Sequence, residues 1–132
     1  MKVTADTNVL VRAIVGDDAK QSRTAQAELQ KAEVVAVSVT ALCEFVWVLS
    51  QGYKIGLAEI ADAVRLLIDS ENVVVNRPCV DAGLALLDAG GDFADAVIAF
   101  EGEQLGATSF VSFDRQAIKL LESTGRAARL LQ

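Results

Sequence analysis

The sequence predicts an α/β fold: a compact α/β/α sandwich around a short, mostly parallel central sheet of four to five strands. Three observations carry this expectation. Short apolar runs alternate along the chain with longer segments of helical periodicity. The runs are apolar on both faces, as strands covered by helices on both sides are. Half of the 132 residues are apolar and only one is proline, which suits one continuous core. With no linker and no internal repeat, residues 1–132 read as a single domain.

Residues 1–6 read as a short buried strand. A helix begins at Thr7 or Asn8, carries Val9, Leu10, Val11 and Ile14, and ends at Gly16. Asp17 or Asp18 caps a second helix, about 18–32, with Ala25, Leu29 and Ala32 inward. Residues 34–37 form the second strand. Ser38 or Thr40 caps a helix that runs through Gln51 to Gly52. Residues 56–70 are an amphipathic helix, since Leu57, Ile60, Ala61, Val64, Leu67 and Ile68 follow helical spacing. The run VVV within 72–76 is a third strand. Pro78 sits in the first turn of a helix reaching Ala89, and Gly90 and Gly91 punctuate it. The next helix spans about 92–105 and is closed by Gly106. Residues 109–113 form a fourth strand, 115–124 a last helix, and 128–131 a short fifth strand.

Composition narrows the function classes. The N-terminal segment MKVTADTNVLVR is broken by acidic and polar residues, unlike a secretory leader. No apolar run reaches membrane-spanning length, so a cytoplasmic location with no membrane partner is expected. Cys43 and Cys79 lie in apolar surroundings and read as small core residues; two isolated cysteines without histidine cannot build a zinc site. A net charge of −6 argues against a generic nucleic-acid coat. That objection weakens if acids bind metal. Setting Asp6, Glu44, Asp95 and Asp114 aside from the 18 acids leaves 14 against 12 bases, or −2.

The acids themselves are the candidates for chemistry. Asp6 closes the first apolar run. Glu44 is the only charge in TALCEFVWVLS, where Leu42, Phe45, Val46, Trp47 and Val48 leave it little solvent-facing surface. Asp92 and Asp95, three apart, share one face of a helix start. Asp114 follows the strand-like run TSFVSF. Buried carboxylates must be paired, protonated or bound to metal. The chain has no histidine and no evident basic partner for these acids, which points to a hard divalent cation, Mg²⁺ or Mn²⁺. Each acid also has a plainer reading. Asp6, Asp92 and Asp114 stand where helix N-caps stand, Asp95 lies in a first turn favoured by the helix dipole, and Glu44 fits a partly exposed helix edge. Asp6 and Asp114 both follow strands, and ligand sites of parallel sheets lie beyond the strands' carboxyl ends, so the two are expected on one edge. Among the basic residues, Arg12, Arg77 and Arg115 are the ones to watch; Arg115, directly after Asp114, is placed to reach a phosphate or a neighbouring carboxylate, and a solvated surface arginine is the common alternative.

ADTNVLVR (5–12), Glu44 after the second strand, GDFADAVIA (91–99) and SFDRQAIKLL (112–121) resemble, in order and spacing, the PIN-domain ribonucleases. The likeness is greatest to the VapC-type toxins of bacterial toxin–antitoxin pairs. The resemblance implies that Asp6, Glu44 and Asp95 are the central acids and Asp114 the fourth, with Asp92 an accessory acid. Ser112 stands where many relatives carry Thr, which bears on how the loop around Asp114 is held. The implied activity is endoribonuclease cleavage, in which Mg²⁺ or Mn²⁺ held by these five acids activates water for in-line attack on phosphorus. Asp6 and Asp95 would ligate directly; Glu44 and Asp114 would ligate or orient metal-bound waters. Single-stranded or loop RNA as substrate, products bearing a 5′ phosphate, a homodimer and a cognate antitoxin that reaches the acids with a basic residue are implied as well; Arg12 and Arg115 are the candidates to meet that RNA.

Two other classes fit an α/β domain of this kind. A phosphoacceptor or phosphatase-like domain would use Asp6, although Asp6-Thr7-Asn8 lacks the second aspartate of that pattern and Lys119 lies inside a helix. A non-catalytic binding module would use Phe45, Val46 and Trp47 as a docking face. The absence of histidine excludes His-dependent triads, and no phosphate-cradling G-x-x-x-x-G-K-[ST] loop is present.

Overall fold

All seven helices and five strands expected from the sequence are present in the computed structural model, which describes residues 1–132. The chain forms two compact units, Met1–Asn76 and Arg77–Gln132.

The first unit comprises β1 (Lys2–Thr4), α1 (Thr7–Ile14), α2 (Ala19–Lys31), β2 (Val34–Ala36), α3 (Val39–Trp47), a π-helical turn (Val48–Gly52), α4 (Leu57–Ile68) and β3 (Val73–Val74). Its strands form a parallel sheet ordered β1-β2-β3, with Val3 opposite Val35 and Val35 opposite Val73. Parallel neighbours require crossovers, and the intervening helices supply them. Val35 is fully buried, as are Leu42, Phe45, Leu49, Ile60 and Val64. The helix boundaries follow from side-chain chemistry. The Asp18 carboxylate accepts from the Gln21 N–H at 3.0 Å and the Ser38 hydroxyl from the Ala41 N–H at 3.1 Å, so each satisfies an otherwise orphaned first-turn donor. At the other end of α2, the Asn72 amide donates to the Leu29 and Ala32 carbonyls at 2.7 and 3.0 Å. The single helix expected over 38–51 is instead α3 followed by the wider turn, where the Tyr53 N–H donates to the Val48 carbonyl five residues back.

The second unit comprises α5 (Arg77–Asp88), α6 (Phe93–Gln104), β4 (Phe110–Ser112), α7 (Arg115–Ser123) and β5 (Ala128–Leu130). Its core is Leu86, Ala96, Ala99 and Leu121, with Phe110, Leu120 and Ala128 against it. Helices α5 and α6 approach closely at Gly83, where a Cβ would lie 2.5 Å from the buried Phe93 ring. At Gly91 a Cβ would lie 2.8 Å from Leu86 Cγ, so the turn that delivers Asp92 admits no side chain there. Strands β4 and β5 pair in parallel, Phe110 opposite Ala128, around the crossover helix α7. The five strands therefore hydrogen-bond as three plus two rather than as one continuous ladder. No helix is long and apolar enough to cross a membrane.

Candidate active site

Three of the candidate acids meet in the second unit. Asp92, Asp95 and Asp114 line one cavity of about 170 Å³ with Leu86, Gly90, Gly91, Gln116, Ala117 and Leu120. No basic residue is in that lining. Asp92 is the N-cap of α6, and its Oδ1 accepts from the Ala94 N–H at 3.1 Å. Asp114 is the N-cap of α7, and its Oδ1 accepts from the N–H groups of Gln116 and Ala117 at 3.0 and 3.1 Å. Both acids thus serve the fold through one oxygen, as their positions suggested, and keep Oδ2 for other partners. The Ser112 hydroxyl accepts from the Asp114 N–H at 3.0 Å, so serine at this position still ties down the loop.

Asp95 differs from both. It lies in the first turn of α6, half-buried, without a capping bond of its own. Burial raises its pKa above the usual aspartate value, and the charges of Asp92 and Asp114 raise it further. With no base in the lining, nothing there relieves that repulsion; a bound cation would. No group of three or more His, Cys, Asp or Glu side chains is positioned as a ready-made metal cage. Mg²⁺ needs none, since it keeps several waters and binds through one or two carboxylates together with substrate phosphate.

The first unit holds the other two acids. Asp6 occupies the N-cap position of α1, two residues beyond the end of β1, yet its side chain makes no capping bond. Its expected structural role as a cap is absent, and its exposed carboxylate is uncommitted. Glu44 corrects the sequence reading: it is exposed, not enclosed. The cause is Trp47, which is 65% exposed rather than packed inward. Thr40, Glu44 and Trp47, at helical spacing, form an outer stripe of α3, while Leu42, Phe45 and Val46 are buried. A docking face made of Phe45, Val46 and Trp47 together is therefore excluded.

The arginines divide as well. Arg12 Nη1 donates to Asp17 at 3.2 Å and to the Tyr53 hydroxyl at 3.4 Å, and that hydroxyl donates to Asp17 at 2.9 Å. The Tyr53 bond holds the Asp17 carboxyl below its usual range against the opposing effect of burial, and Arg12 adds to the lowering. Sequence reading missed this trio because Tyr53 lies 41 residues from Arg12. Arg77 pairs with Asp81 one turn on, at 3.4 Å. Arg115 is exposed and makes no ion pair. Cys79 is fully buried, and burial pushes its thiol pKa up, in keeping with a packing role.

No curated protein matches the chain. A family model, however, covers almost all of it, including every candidate acid: the chain belongs to the PIN domain family, whose model matches residues 3–121.

Proposed function

We propose that this PIN domain is a metal-dependent endoribonuclease and the toxin of a toxin–antitoxin pair. The family carries nuclease chemistry on nucleic acid in general. The choice of RNA, of Mg²⁺ or Mn²⁺, and of the toxin role is our reading. The observation that carries it is the cavity of Asp92, Asp95 and Asp114, where a half-buried acid is destabilised by two others and no base offsets them.

In this reading Asp6 and Asp95 ligate the ion directly, Glu44 and Asp114 ligate it or orient its bound waters, and Asp92 is an accessory acid. Asp6 and Glu44 support it because neither serves the fold. Asp6 sits at an N-cap without capping, and Glu44 is an exposed acid without an ion pair. When bound, Mg²⁺ or Mn²⁺ supplies Lewis acidity and an activated water. The residues do the rest. The α6 and α7 caps fix Asp92 and Asp114 through Oδ1 and leave their Oδ2 atoms available. Asp95 is half-buried, so its attraction for a cation is screened less than that of the exposed acids. Arg115, at the start of α7, is available to bind phosphate, while Arg12 must first leave Asp17.

We further propose that residues 1–132 act as one PIN-like domain, since the family match runs through both units. The functional form is a cytoplasmic homodimer. The cognate antitoxin inhibits by inserting an arginine or lysine among the acids, where it competes with the cation.

The deciding experiment is cleavage of mixed transfer and ribosomal RNA by the purified chain in Mg²⁺, Mn²⁺ or EDTA, beside Asp95→Asn. Discrete cuts that need metal and vanish in the variant support the reading. A folded chain that binds metal but cuts no RNA, and traps a phosphoryl mimic on Asp6, would replace it with the phosphoacceptor.

A further inference from the structure

We propose that Phe113 is a substrate-binding residue whose ring stacks on a nucleobase of single-stranded RNA beside the phosphate to be cut. The inference rests on the nuclease reading and deepens it. The chain has five phenylalanines, and four have packing roles. Phe45 and Phe93 are fully buried, Phe110 lies against the Leu86–Leu121 cluster, and Phe100 faces the Arg126 guanidinium 5.5 Å from its centroid. Phe113 alone stands in water, 73% exposed.

Its exposure is not slackness of the backbone. On one side the Ser112 carbonyl accepts from the Leu131 N–H at 2.8 Å, and the Ser112 hydroxyl accepts from the Asp114 N–H at 3.0 Å. On the other side Asp114 is held by its two capping bonds. The ring is thus presented from a pinned segment, which lowers the ordering cost of a ligand that meets it. Phe113 directly precedes Asp114, which lines the acidic cavity, and is followed after it by the exposed, unpaired Arg115. A π-face for a base and a cation for a phosphate, two residues apart on the segment that carries Asp114, match the two halves of a single-stranded nucleotide. Duplex substrates keep their bases stacked inside and cannot use such a face.

The test is titration of a short single-stranded RNA of mixed sequence, labelled with 2-aminopurine, into the full chain carrying Asp95→Asn to prevent cleavage. Stacking predicts strong quenching of the label with Phe113 and with Phe113→Trp. Quenching is lost with Phe113→Ala and Phe113→Leu, and affinity falls roughly five- to hundredfold. Melting temperature should not change, because the ring is exposed. Arg115→Ala should weaken binding while keeping the quench of the bound RNA. Equal affinity and quench in Phe113→Ala overturn the inference, and metal-dependent cleavage by the otherwise unaltered chain would then leave the nuclease reading standing. Failure of the Asp95→Asn chain to bind the RNA overturns it too. So does a dimer that falls to monomer in Phe113→Ala with RNA affinity intact, which would assign the ring to a second copy of the chain.

Discussion

The two units carry acids of the same kind in opposite circumstances. In the second, Asp92, Asp95 and Asp114 are crowded around one small cavity, and burial, with the charges of the other two added to it, raises the Asp95 pKa. In the first, Asp6 and Glu44 are exposed, and the Asp6 side chain makes no capping bond. On the proposed reading, a functional carboxylate announces itself in two ways. One is unrelieved electrostatic repulsion. The other is the lack of any structural role, and Asp6 shows it best: three candidate aspartates occupy N-cap positions, and only Asp6 leaves its helix uncapped by its side chain.

The largest effect that can break this comparison is on activity. Asp95→Asn should abolish metal-dependent cleavage, with a loss of at least the roughly 10²- to 10³-fold that follows removal of one group stabilising transition-state charge. Asp6→Asn should cost a similar factor, although it touches the other unit. Steady-state cleavage of one RNA by both variants decides the point. Full activity in Asp6→Asn would mean that an acid without a structural role is merely a surface acid.

Stability sorts the same residues differently. Asp114→Ala removes a carboxylate that accepts two backbone N–H groups, so it should cost about 1 kcal/mol in denaturant unfolding. Asp114→Asn should recover most of it. Asp6→Ala has no side-chain capping bond to lose and should be nearly neutral. Equal losses at the two positions would erase the distinction drawn between them.

Much of this is legible in the sequence, for identifiable reasons. Helix starts can be read because Asp18, Ser38, Asp92 and Asp114 do cap, and caps are local chemistry. Gly90 and Gly106 end their helices at φ of +93° and +102°, which glycine adopts without strain. What fails depends on distant residues. Nothing in two short apolar strands says which others they pair with, so the three-plus-two division is invisible. The enclosure expected of Glu44 fails because it counts Trp47 as inward, and a single outward tryptophan opens that face of α3. The Arg12–Asp17–Tyr53 trio depends on the π-helical turn just before Tyr53, which the sequence does not signal.

A smaller effect separates the two arginines. Arg115→Ala should weaken RNA binding a few fold and lower the slope of log affinity against log salt by about 0.7, the value of one phosphate contact on a single strand. Arg12→Ala should change the slope less, because Asp17 already neutralises Arg12 in the free chain. Binding isotherms across a salt series compare them directly. Equal slopes would show that RNA draws Arg12 away from Asp17.

The smallest effect concerns the cost of the crowded acids themselves. Folding raises the Asp95 pKa, so the folded state holds the proton more tightly than the unfolded chain does. The stability gained from that proton is fully present below the ordinary aspartate value of 3.8 and is lost as pH rises through the folded value. At neutral pH without divalent ions, Asp95→Asn should therefore melt higher than the native chain. A rise of about 2 °C is expected, since Asp95 is only half-buried and solvent screens much of the repulsion. The two curves should converge below pH 3.8, where Asp95 is protonated in both states. Mg²⁺ should raise the melting temperature of the native chain and leave Asp95→Asn nearly unmoved. A fall in melting temperature on Asp95→Asn at neutral pH would mean that favourable bonds of the carboxylate outweigh the repulsion from Asp92 and Asp114. The contrast between the two units would then lose its electrostatic half.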